Sequence, residues 1–396
     1  MNPSSIDRRS FVARSVAGGA GLALAAAQVG ASAEQKPRRI KVGVIGCGSV
    51  SHKYLPHLAA CPFAELVSAC DIIPERAEQQ AAKYGIPNRY PLIDKMLAGA
   101  PFDLLVNLTD MQEHERLNRQ AVEAGKHVWS EKPIANSLSA GQAVLELARA
   151  QKVRLWGAPT VVTSPQFAFM AKTLAAGALG RVAAAHADYG HTGPDWSSFF
   201  YEKGGGSLPD LGVYNLTTLT GLLGPARAVA AMTSVVTPVR QIRKKGKVQV
   251  TAEDNAMVLL DHGKGVMSHV QCGFNYFNPH GHEGRMERRH TITIVGTAGG
   301  MALVGYDWEP QGVDVATQKQ PAYKRHATET DGYVWEQGAS LAAECLATGK
   351  EMSITPEHAL HVLEIIVAAR QSQDTGRRVQ LRSMFKWPIV ADASKD

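Results

Sequence analysis

Short apolar runs of strand length recur between residues 41 and 157, and a stretch with helical periodicity follows each of them. The runs are Lys41–Gly46, Leu66–Cys70, Asp103–Thr109, His127–Ser130 and Val153–Gly157. Strands that alternate with helices predict an α/β domain built on a doubly wound parallel sheet. Ligands bind such sheets at the carboxyl ends of the strands, so this edge should carry the functional residues.

The pattern changes beyond about residue 160. One helix is predicted over residues 166–176, and a series of apolar runs follows it: Val182–Asp188, Arg227–Val236, Val248–Leu260, Gly265–Phe274 and His290–Gly296. Runs in a row predict an α+β domain with an open, mostly antiparallel sheet. Helices from about residues 334 and 356 close the chain. We therefore place the domain with the parallel sheet at residues 34–159 and the α+β domain at residues 160–396.

Residues 1–33 have the pattern of an export signal. Arg8 and Arg9 precede a weakly apolar run rich in Ala and Gly, which ends at Ala31-Ser32-Ala33. A charged start, a short apolar run and small residues before a cleavage site predict a secretory signal peptide. The paired arginines indicate the twin-arginine route, so we expect an exported or periplasmic protein.

The first predicted strand runs into a glycine turn. The turn reads Gly46-Cys47-Gly48-Ser49-Val50-Ser51, and a helix is predicted to follow it. In the dinucleotide-binding fingerprint the first glycine permits the tight turn and the second lets the backbone approach the pyrophosphate. The helix N-terminus then faces that anion. Ser51 stands at the third glycine position and is small enough for close packing.

The second strand ends at an acid that suits the ribose of such a cofactor. Asp71 lies about 20 residues beyond the turn, where a carboxylate accepts hydrogen bonds from both ribose hydroxyls. A carboxylate there repels a 2′-phosphate, so NAD is favoured over NADP. Ile72 and Arg76 follow closely and are further candidates for cofactor contact.

Composition narrows the choice of partners. The net charge is +6, and it becomes +4 without the signal (6 − 2), while the one basic run, residues 240–247, is interpreted as a solvated loop. These features argue against nucleic-acid binding. No later segment predicts stable membrane insertion.

His280 and His282 lack a convincingly spaced third ligand, so no metal site is predicted. The five cysteines include no C-x-x-C pair, and we expect mostly free thiols, with a Cys61–Cys70 pair left open.

Four motifs together resemble the Gfo/Idh/MocA oxidoreductase family: VIGCGSV, Cys70-Asp71, HVWSEKPIA and GGGSLPDLGVYNLTTLTGLLG. The resemblance implies that Lys132 lies by the nicotinamide and the reacting carbinol, with Glu131 and Thr109 at the neighbouring strand ends. It also places His114 near the cofactor, although a histidine at a helix start can be a capping or core residue. The resemblance further implies that residues 34–159 are an NAD-binding Rossmann domain and that residues 160–396 are a substrate and oligomerisation domain, with a homo-oligomer formed through the C-terminal sheet.

One family position is changed in this chain. Many members read D-x-x-x-H, whereas this sequence has Asp210 and Tyr214. The tyrosine resembles the exported glucose–fructose oxidoreductase branch and would replace histidine as the acid/base. We expect the Lys132 ammonium to lower the pKa of Tyr214 and make it a better proton shuttle. A packing role for this ring is the alternative. Thr217 also departs from the family, because many members have aspartate there.

A mixed aromatic and polar segment precedes the glycine run. Trp196, Tyr201 and Lys203, with Tyr276 further on, combine aromatic faces with polar tips as sugar sites do, although a structured loop is an equal alternative. The preferred function is an oxidoreductase that transfers hydride between a carbohydrate hydroxyl carbon and tightly bound NAD(H). An NAD-dependent glycoside hydrolase acting by transient oxidation and elimination is the alternative, and a non-catalytic sugar sensor is a third class.

Overall fold

A six-stranded parallel sheet forms the first half of the protein. The computed structural model describes residues 38–277 and 289–390. The strand order is β3-β2-β1-β4-β5-β6, with β1 Ile40–Ile45, β2 Ala64–Cys70, β3 Asn88–Tyr90, β4 Leu104–Asn107, β5 His127–Ser130 and β6 Leu155–Gly157. The connecting helices are α1 Ser51–Ala60, α2 Pro74–Tyr84, α3 Ile93–Leu97, α4 His114–Glu123 and α5 Leu138–Ala150. The predicted doubly wound sheet is confirmed, and its order reverses between β1 and β4.

A nine-stranded mixed sheet forms the second half. Its strands are β7 Val182–Gly190, β8 Ala228–Ser234, β11 Asn255–Gly263, β12 Val266–Gly273, β13 His290–Gly296, β14 Gly299–Tyr306, β15 Glu309–Thr317, β16 Gln320–His326 and β17 Val379–Gln380. They lie in the order β16-β15-β14-β13-β7-β12-β11-β8-β17. Every pairing is antiparallel except that of β7 with β12.

Four longer helices accompany the second sheet: α6 Pro165–Ala175, α7 Val213–Leu223, α8 Gly338–Thr348 and α9 Pro356–Thr375. Helix α9 begins at the N-cap Thr355, whose hydroxyl accepts from the His358 N–H, and it ends at Gly376 in the left-handed conformation. A short π-helix, Leu208–Gly212, leads directly into α7. The apolar side chains of β1, β4 and β5 are buried between the helical layers and form the centre of the core.

The basic run at residues 240–247 is largely exposed, as the sequence suggests, but it is not a loop. It forms most of a hairpin of β9 Val239–Ile242 and β10 Gly246–Gln249. The Arg240 side chain is largely buried and donates to Asp254, to Asn275 and to the Thr192 and Phe274 carbonyl oxygens. Its partners lie in the surrounding loops, which the hydropathy pattern alone could not place.

Other expectations about the second half also change in detail. The run predicted as one strand from Val248 to Leu260 forms two strands, one ending at Gln249 and one beginning at Asn255, and between them the Thr251 and Ala252 N–H groups donate to the Tyr201 carbonyl oxygen. All five cysteines are free, so Cys61 and Cys70 do not pair. No helix in the two described segments has the length and apolar character needed to cross a membrane. The export signal and the His280/His282 pair lie outside the described residues.

Candidate functional site

The register of the parallel sheet brings three chain segments to one edge. Ile45 pairs with Asn107, and Asn107 pairs with Ser130, each the last residue of its strand. The glycine turn, the segment after β4 and the E-K-P motif therefore leave the sheet side by side. This edge includes the point between β1 and β4 where the strand order reverses, which is where doubly wound sheets bind ligands.

The two glycines of the turn differ in their surroundings: Gly46 packs against the protein backbone, and Gly48 faces open space. At Gly46 φ is +87°, and a Cβ would lie 2.5 Å from the Leu108 carbonyl carbon, so glycine is required there. At Gly48 a Cβ would meet only Arg76, 3.7 Å away, which leaves space for a ligand. Ser51 is fully buried, and its hydroxyl donates to the Gly48 carbonyl oxygen at 2.6 Å. The serine thus replaces the third glycine of the fingerprint without leaving an unsatisfied group.

The turn also presents hydrogen-bond donors at the start of α1. Ser49 and Val50 lie at this end, and the first N–H groups of a helix have no intrahelical partners. Cys47 contributes differently, because its thiol is buried beneath the turn. Burial, followed by the nearby Asp71 charge, raises the pKa of that thiol to about 12. The turn therefore offers an anion its backbone and helix end, not a reactive sulfur.

Asp71 organises the ribose side of this cleft. Its Oδ2 accepts from the Cys47 N–H and its Oδ1 from the Ile73 N–H, each at 2.8 Å. A carboxylate has about four acceptor positions, so two remain for ribose hydroxyls. Ile72 is 79% exposed, an apolar surface suited to a flat base, and the exposed Arg76 reaches over Gly48. These features fit NAD.

Lys132 joins the E-K-P segment to the helix that follows the glycine run. Its Nζ donates to Asp210 Oδ1 and to the Asp210 main-chain oxygen, both at 2.8 Å. The Lys132 and Asp210 side chains are only 10% and 14% exposed. The Lys132 Nζ also lies 5.0 Å from the centre of the Tyr214 ring. All three predicted catalytic residues are therefore in one cluster, and one of the three ammonium donors stays available for a substrate oxygen.

The electrostatic state of Tyr214 differs from the expectation. Burial raises the pKa of Tyr214 well above its usual value near 10, and the Glu131 charge adds to the increase. The predicted lowering by Lys132 is wrong, because its ammonium is bonded to Asp210 and lies against the ring of Tyr214. The phenol is accordingly a neutral donor at physiological pH.

The other predicted residues at the strand ends turn inward. Glu131 Oε1 accepts from the Tyr54 hydroxyl at 2.5 Å, and its Oε2 accepts from the Lys132 N–H at 3.1 Å. His114 is buried between the Thr109 and Pro133 carbonyl oxygens, 2.9 and 2.8 Å from its two ring nitrogens. Burial lowers the pKa of this histidine. Both residues therefore shape the loop that carries Lys132, and their cofactor contact stays a prediction.

A buried polar network behind Lys132 was not foreseen. Asn107 donates to Asn118, and the Asn118 amide donates to the Ser130 hydroxyl and the Ile134 carbonyl oxygen. The Thr109 hydroxyl also donates to Asn107 at 2.7 Å. The network ties the ends of β4 and β5 to α4. The sequence did carry one signal of this network, because Asn107 is a polar residue at the end of a buried apolar strand.

The predicted substrate residues separate into two groups. Tyr201 is fully buried and its hydroxyl donates to the Pro194 carbonyl oxygen, so the structure gives it a packing role in place of substrate contact. Trp196 and Lys203 are exposed, and the Lys203 carbonyl oxygen accepts from Gln112 of the first half. Tyr276 is half-buried, with its hydroxyl donating to Asn255 at 2.7 Å. The last three residues stay candidates for substrate contact.

An aromatic cluster beside Tyr214 was missed from the sequence. The Tyr189 ring lies 6.0 Å from that of Tyr214 and 4.6 Å from that of Tyr306. Trp308 stacks on Tyr306 at 5.4 Å, and Trp335 meets Trp308 edge-on at 6.5 Å. These rings come from separate strands and loops, so only the folded chain brings them together. They form a wall next to the Lys132 cluster.

Comparison with known proteins agrees with this geometry. A family model described as an oxidoreductase family with an NAD-binding Rossmann fold matches residues 40–158. A second model, described as the GFO/IDH/MocA C-terminal domain, matches residues 167–302. The chain is 24% identical over 350 residues to trans-1,2-dihydrobenzene-1,2-diol dehydrogenase of Mus musculus, covering 84% of this chain and 96% of the relative. It is also 24% identical over 384 residues to D-apiose dehydrogenase of Paraburkholderia graminis, covering 93% and 97%.

Solved structures share the fold. A levoglucosan dehydrogenase in complex with NADH and levoglucosan superposes with a TM-score of 0.75 at 20% identity, covering 87% of this chain and 100% of the other. The aldose-aldose oxidoreductase from Caulobacter crescentus, complexed with glycerol, gives a TM-score of 0.72 at 22% identity, with 87% and 100% covered. The similarity extends over both sheets.

Proposed function

The chain belongs to the Gfo/Idh/MocA family of NAD-binding oxidoreductases, and from that premise we propose that it transfers hydride between a hydroxyl-bearing sugar carbon and a tightly bound NAD(H). The observation that carries the proposal is the cluster of Lys132, Asp210 and Tyr214 beside the glycine turn. Relatives named as a D-apiose dehydrogenase and a 1,5-anhydro-D-fructose reductase support a carbohydrate substrate.

Each residue of the cluster has a separate role in this proposal. Bound NAD accepts or supplies the hydride. The free N–H of Lys132 polarises the substrate oxygen and stabilises charge that develops on it. Tyr214, held neutral by burial, donates a proton to that oxygen when a carbonyl is reduced. Asp210 fixes the Lys132 ammonium through two hydrogen bonds and is the charged base next to it.

The test uses purified protein with its own bound nucleotide. The nucleotide is released by denaturation and identified by mass spectrometry, and a panel of aldoses, anhydrosugars and sugar acids is then screened for NADH absorbance at 340 nm. We expect NAD(H) and at least one oxidised sugar, with no turnover in Lys132→Ala. NADP alone, no sugar oxidised, or release of the aglycone from a glycoside without net redox would contradict the proposal.

We further propose export of the folded, loaded enzyme through residues 1–33. Free NAD is not supplied outside the cytoplasm, so the bound cofactor must be regenerated in the same site. One sugar is oxidised to a carbonyl as NAD⁺ becomes NADH, and a second carbonyl is then reduced as NADH returns to NAD⁺. The similarity to a protein named aldose-aldose oxidoreductase supports such a paired cycle. Fractionation of cells producing the full chain and the Arg8→Lys/Arg9→Lys variant tests export. Wild-type protein confined to the cytoplasm would overturn it.

The outer face of the second sheet supports a homo-oligomer. Met232 pairs with Met257 across β8 and β11, and Leu259, Met267 and Val295 are exposed on the same face, interspersed with His269 and Gln271. Exposed apolar side chains gathered on one face mark an interaction site. We propose that a second copy of the chain covers it. Light scattering should show an oligomer for the wild type and a smaller species for Leu259→Lys. A monomeric wild type would refute the proposal.

A further inference from the structure

The turn between β14 and β15 is docked on the helix that carries Tyr214. Asp307, in this turn, is 2% exposed. Its Oδ2 accepts from Asn215 Nδ2 at 3.1 Å and from the Thr218 hydroxyl at 2.9 Å. Both donors belong to α7, one and four residues after Tyr214. The carboxyl group therefore connects the turn to the catalytic helix at the level of the proposed acid.

The residues on either side of Asp307 form half of the aromatic wall. Tyr306 contacts Tyr189, and Tyr189 contacts the Tyr214 ring. Trp308 stacks on Tyr306 with only 10° between the planes and stays partly exposed. An aromatic face of this kind packs against the apolar C–H face of a sugar ring, while nearby polar groups fix its orientation. The position of the turn thus sets how far this face lies from Lys132.

Asp307 has an unusual environment for a charged group. Its Oδ1 is buried and accepts no hydrogen bond, and none of the ion pairs in the described part of the chain includes it. Burial raises the pKa of Asp307 to about 6. The titratable groups that face it are Tyr189 of β7 and Tyr333, both neutral because burial raises the pKa of each phenol. The α7 donors are an uncharged amide and a hydroxyl, and no cation among residues 38–277 and 289–390 forms an ion pair with this carboxyl group.

We propose that Asp307 is a positioning residue that fixes the Tyr306–Trp308 turn against the Tyr214 helix, and that these two aromatic side chains select which sugar ring is bound. The inference rests on the proposed function, because the selected ligand is the sugar of that reaction. It assigns no chemistry to Asp307 itself. Loss of the carboxyl group would release the turn, whereas a neutral group of the same shape would keep it docked.

Three variants and one matched control test this. Asp307→Ala removes both hydrogen bonds, and Thr218→Val removes one of them from the α7 side. Asp307→Asn keeps an oxygen that accepts both donors but cannot ionise. Glu309→Gln is the control, because it removes an exposed negative charge two residues after Asp307, at the start of β15. Each protein is measured for NADH affinity by fluorescence, for kcat and KM with several sugars, and by near-ultraviolet circular dichroism from pH 5 to 8.

The expected pattern separates a positioning role from general damage. Asp307→Ala should raise KM for the preferred sugar by about tenfold, the scale of one lost buried hydrogen bond, and change the order of sugar preference, with NADH affinity within about twofold. Thr218→Val should shift KM in the same direction by less. Asp307→Asn should keep the wild-type sugar order at pH 7. The near-ultraviolet dichroism of Asp307→Ala should differ from that of the wild type, because its turn is released, whereas Asp307→Asn and Glu309→Gln should match the wild type.

Two results would overturn the proposal. One is a wild-type KM and sugar order in both Asp307→Ala and Thr218→Val. The other is a near-ultraviolet dichroism of Asp307→Ala that is the same as that of the wild type. If the wild type oxidises no sugar, the proposed function fails, and the dichroism of Asp307→Ala and Asp307→Asn compared with the wild type still decides whether Asp307 docks the turn. If Asp307→Ala does not fold, Thr218→Val and Asp307→Asn carry the test.

Discussion

Replacing Lys132 with alanine should abolish most hydride transfer while leaving the nucleotide bound. The substitution removes an ammonium group that makes two 2.8 Å hydrogen bonds to Asp210 and offers its third proton to the substrate oxygen. The glycine turn, Asp71 and the start of α1 are untouched, and Lys132 is not part of any of them. Chemistry and nucleotide binding should therefore separate in this variant.

The size of the effect follows from the environment of the pair. Loss of one preorganised donor to a developing oxyanion costs about 10²- to 10³-fold in rate. Asp210 also loses its counter-charge while its side chain stays only 14% exposed. Breaking a fully buried pair costs about 3–5 kcal/mol. Because Asp210 keeps some solvent contact, we expect roughly 2–3 kcal/mol of lost folding stability, below that fully buried limit.

The assay is a single turnover of bound NAD⁺, followed by stopped-flow absorbance at 340 nm with a proven sugar. Nucleotide content is measured after denaturation, and the free energy of unfolding is measured in urea. Lys350→Ala is the matched control, because Lys350 makes a 2.8 Å ion pair with Glu344 but is 68% exposed. The control should keep the wild-type stability and the wild-type rate, because solvent-exposed ion pairs contribute little to stability. If Lys132→Ala keeps more than about a tenth of the wild-type rate, well inside the expected loss, the lysine does not stabilise the substrate oxygen.

Three further predictions use other parts of the structure. Tyr214→Phe should lower the single-turnover rate of carbonyl reduction by NADH by roughly 10²-fold and leave NADH affinity unchanged, and Tyr214→His should restore part of that rate. If the phenylalanine variant reacts at the wild-type rate across the pH range, Tyr214 is a packing residue. Gly46→Ala should lower both the stability of the protein and its NAD affinity, because the added Cβ would meet the Leu108 backbone. Gly48→Ala should weaken NAD binding without changing the urea midpoint, because its Cβ would enter open space. An equal loss of stability in the two variants would contradict this. Burial lowers the pKa of His358 to about 3 and of His361 to about 4. The stability that these neutral histidines give is therefore complete above pH 6.5 and is lost as the pH falls through those two values. The urea midpoints of the wild type and His361→Gln should accordingly converge between pH 8 and pH 4, and midpoints that stay parallel would refute this.

The cofactor half of the protein was predictable because its signals are local. The periodicity of the chain gave the alternating strands and helices, and the turn at Gly46 and Gly48 followed from backbone requirements that act within a few residues. Asp71 could be placed because strand length and direction fix where an acid after β2 must lie. The inward orientation of Glu131, by contrast, depends on Tyr54 from another helix. No pattern around Glu131 itself carries that information.

The substrate half was less predictable because its contacts are long-range. Tyr201 has the composition of a sugar-binding residue, yet packing of the 192–202 loop on Arg240 and Phe274 buries it. Two rings of the wall beside Tyr214, those of Tyr306 and Trp308, come from the β14–β15 turn, more than 90 residues further along the chain. Asp307 looks like an ordinary turn acid in the sequence. Only the fold shows that it lies against α7, away from solvent.

The raised pKa of Tyr214 has a consequence for the direction of proton transfer. A phenol that stays neutral serves well as a donor to a carbonyl oxygen, so it suits the reductive half of the proposed cycle. A neutral phenol cannot accept the proton that leaves a carbinol, so in oxidation Tyr214 must first pass its own proton on. We infer that this proton passes to the Lys132–Asp210 pair, since Asp210 is the carboxylate directly bonded to the lysine, and that reduction uses the same path in reverse. Asp210→Asn should therefore slow oxidation of a sugar by NAD⁺ and reduction of the corresponding carbonyl by NADH together under single-turnover conditions, because the two directions share one transition state. A wild-type rate in both directions would show that Asp210 takes no part in proton transfer, and the proton of Tyr214 would then need another acceptor.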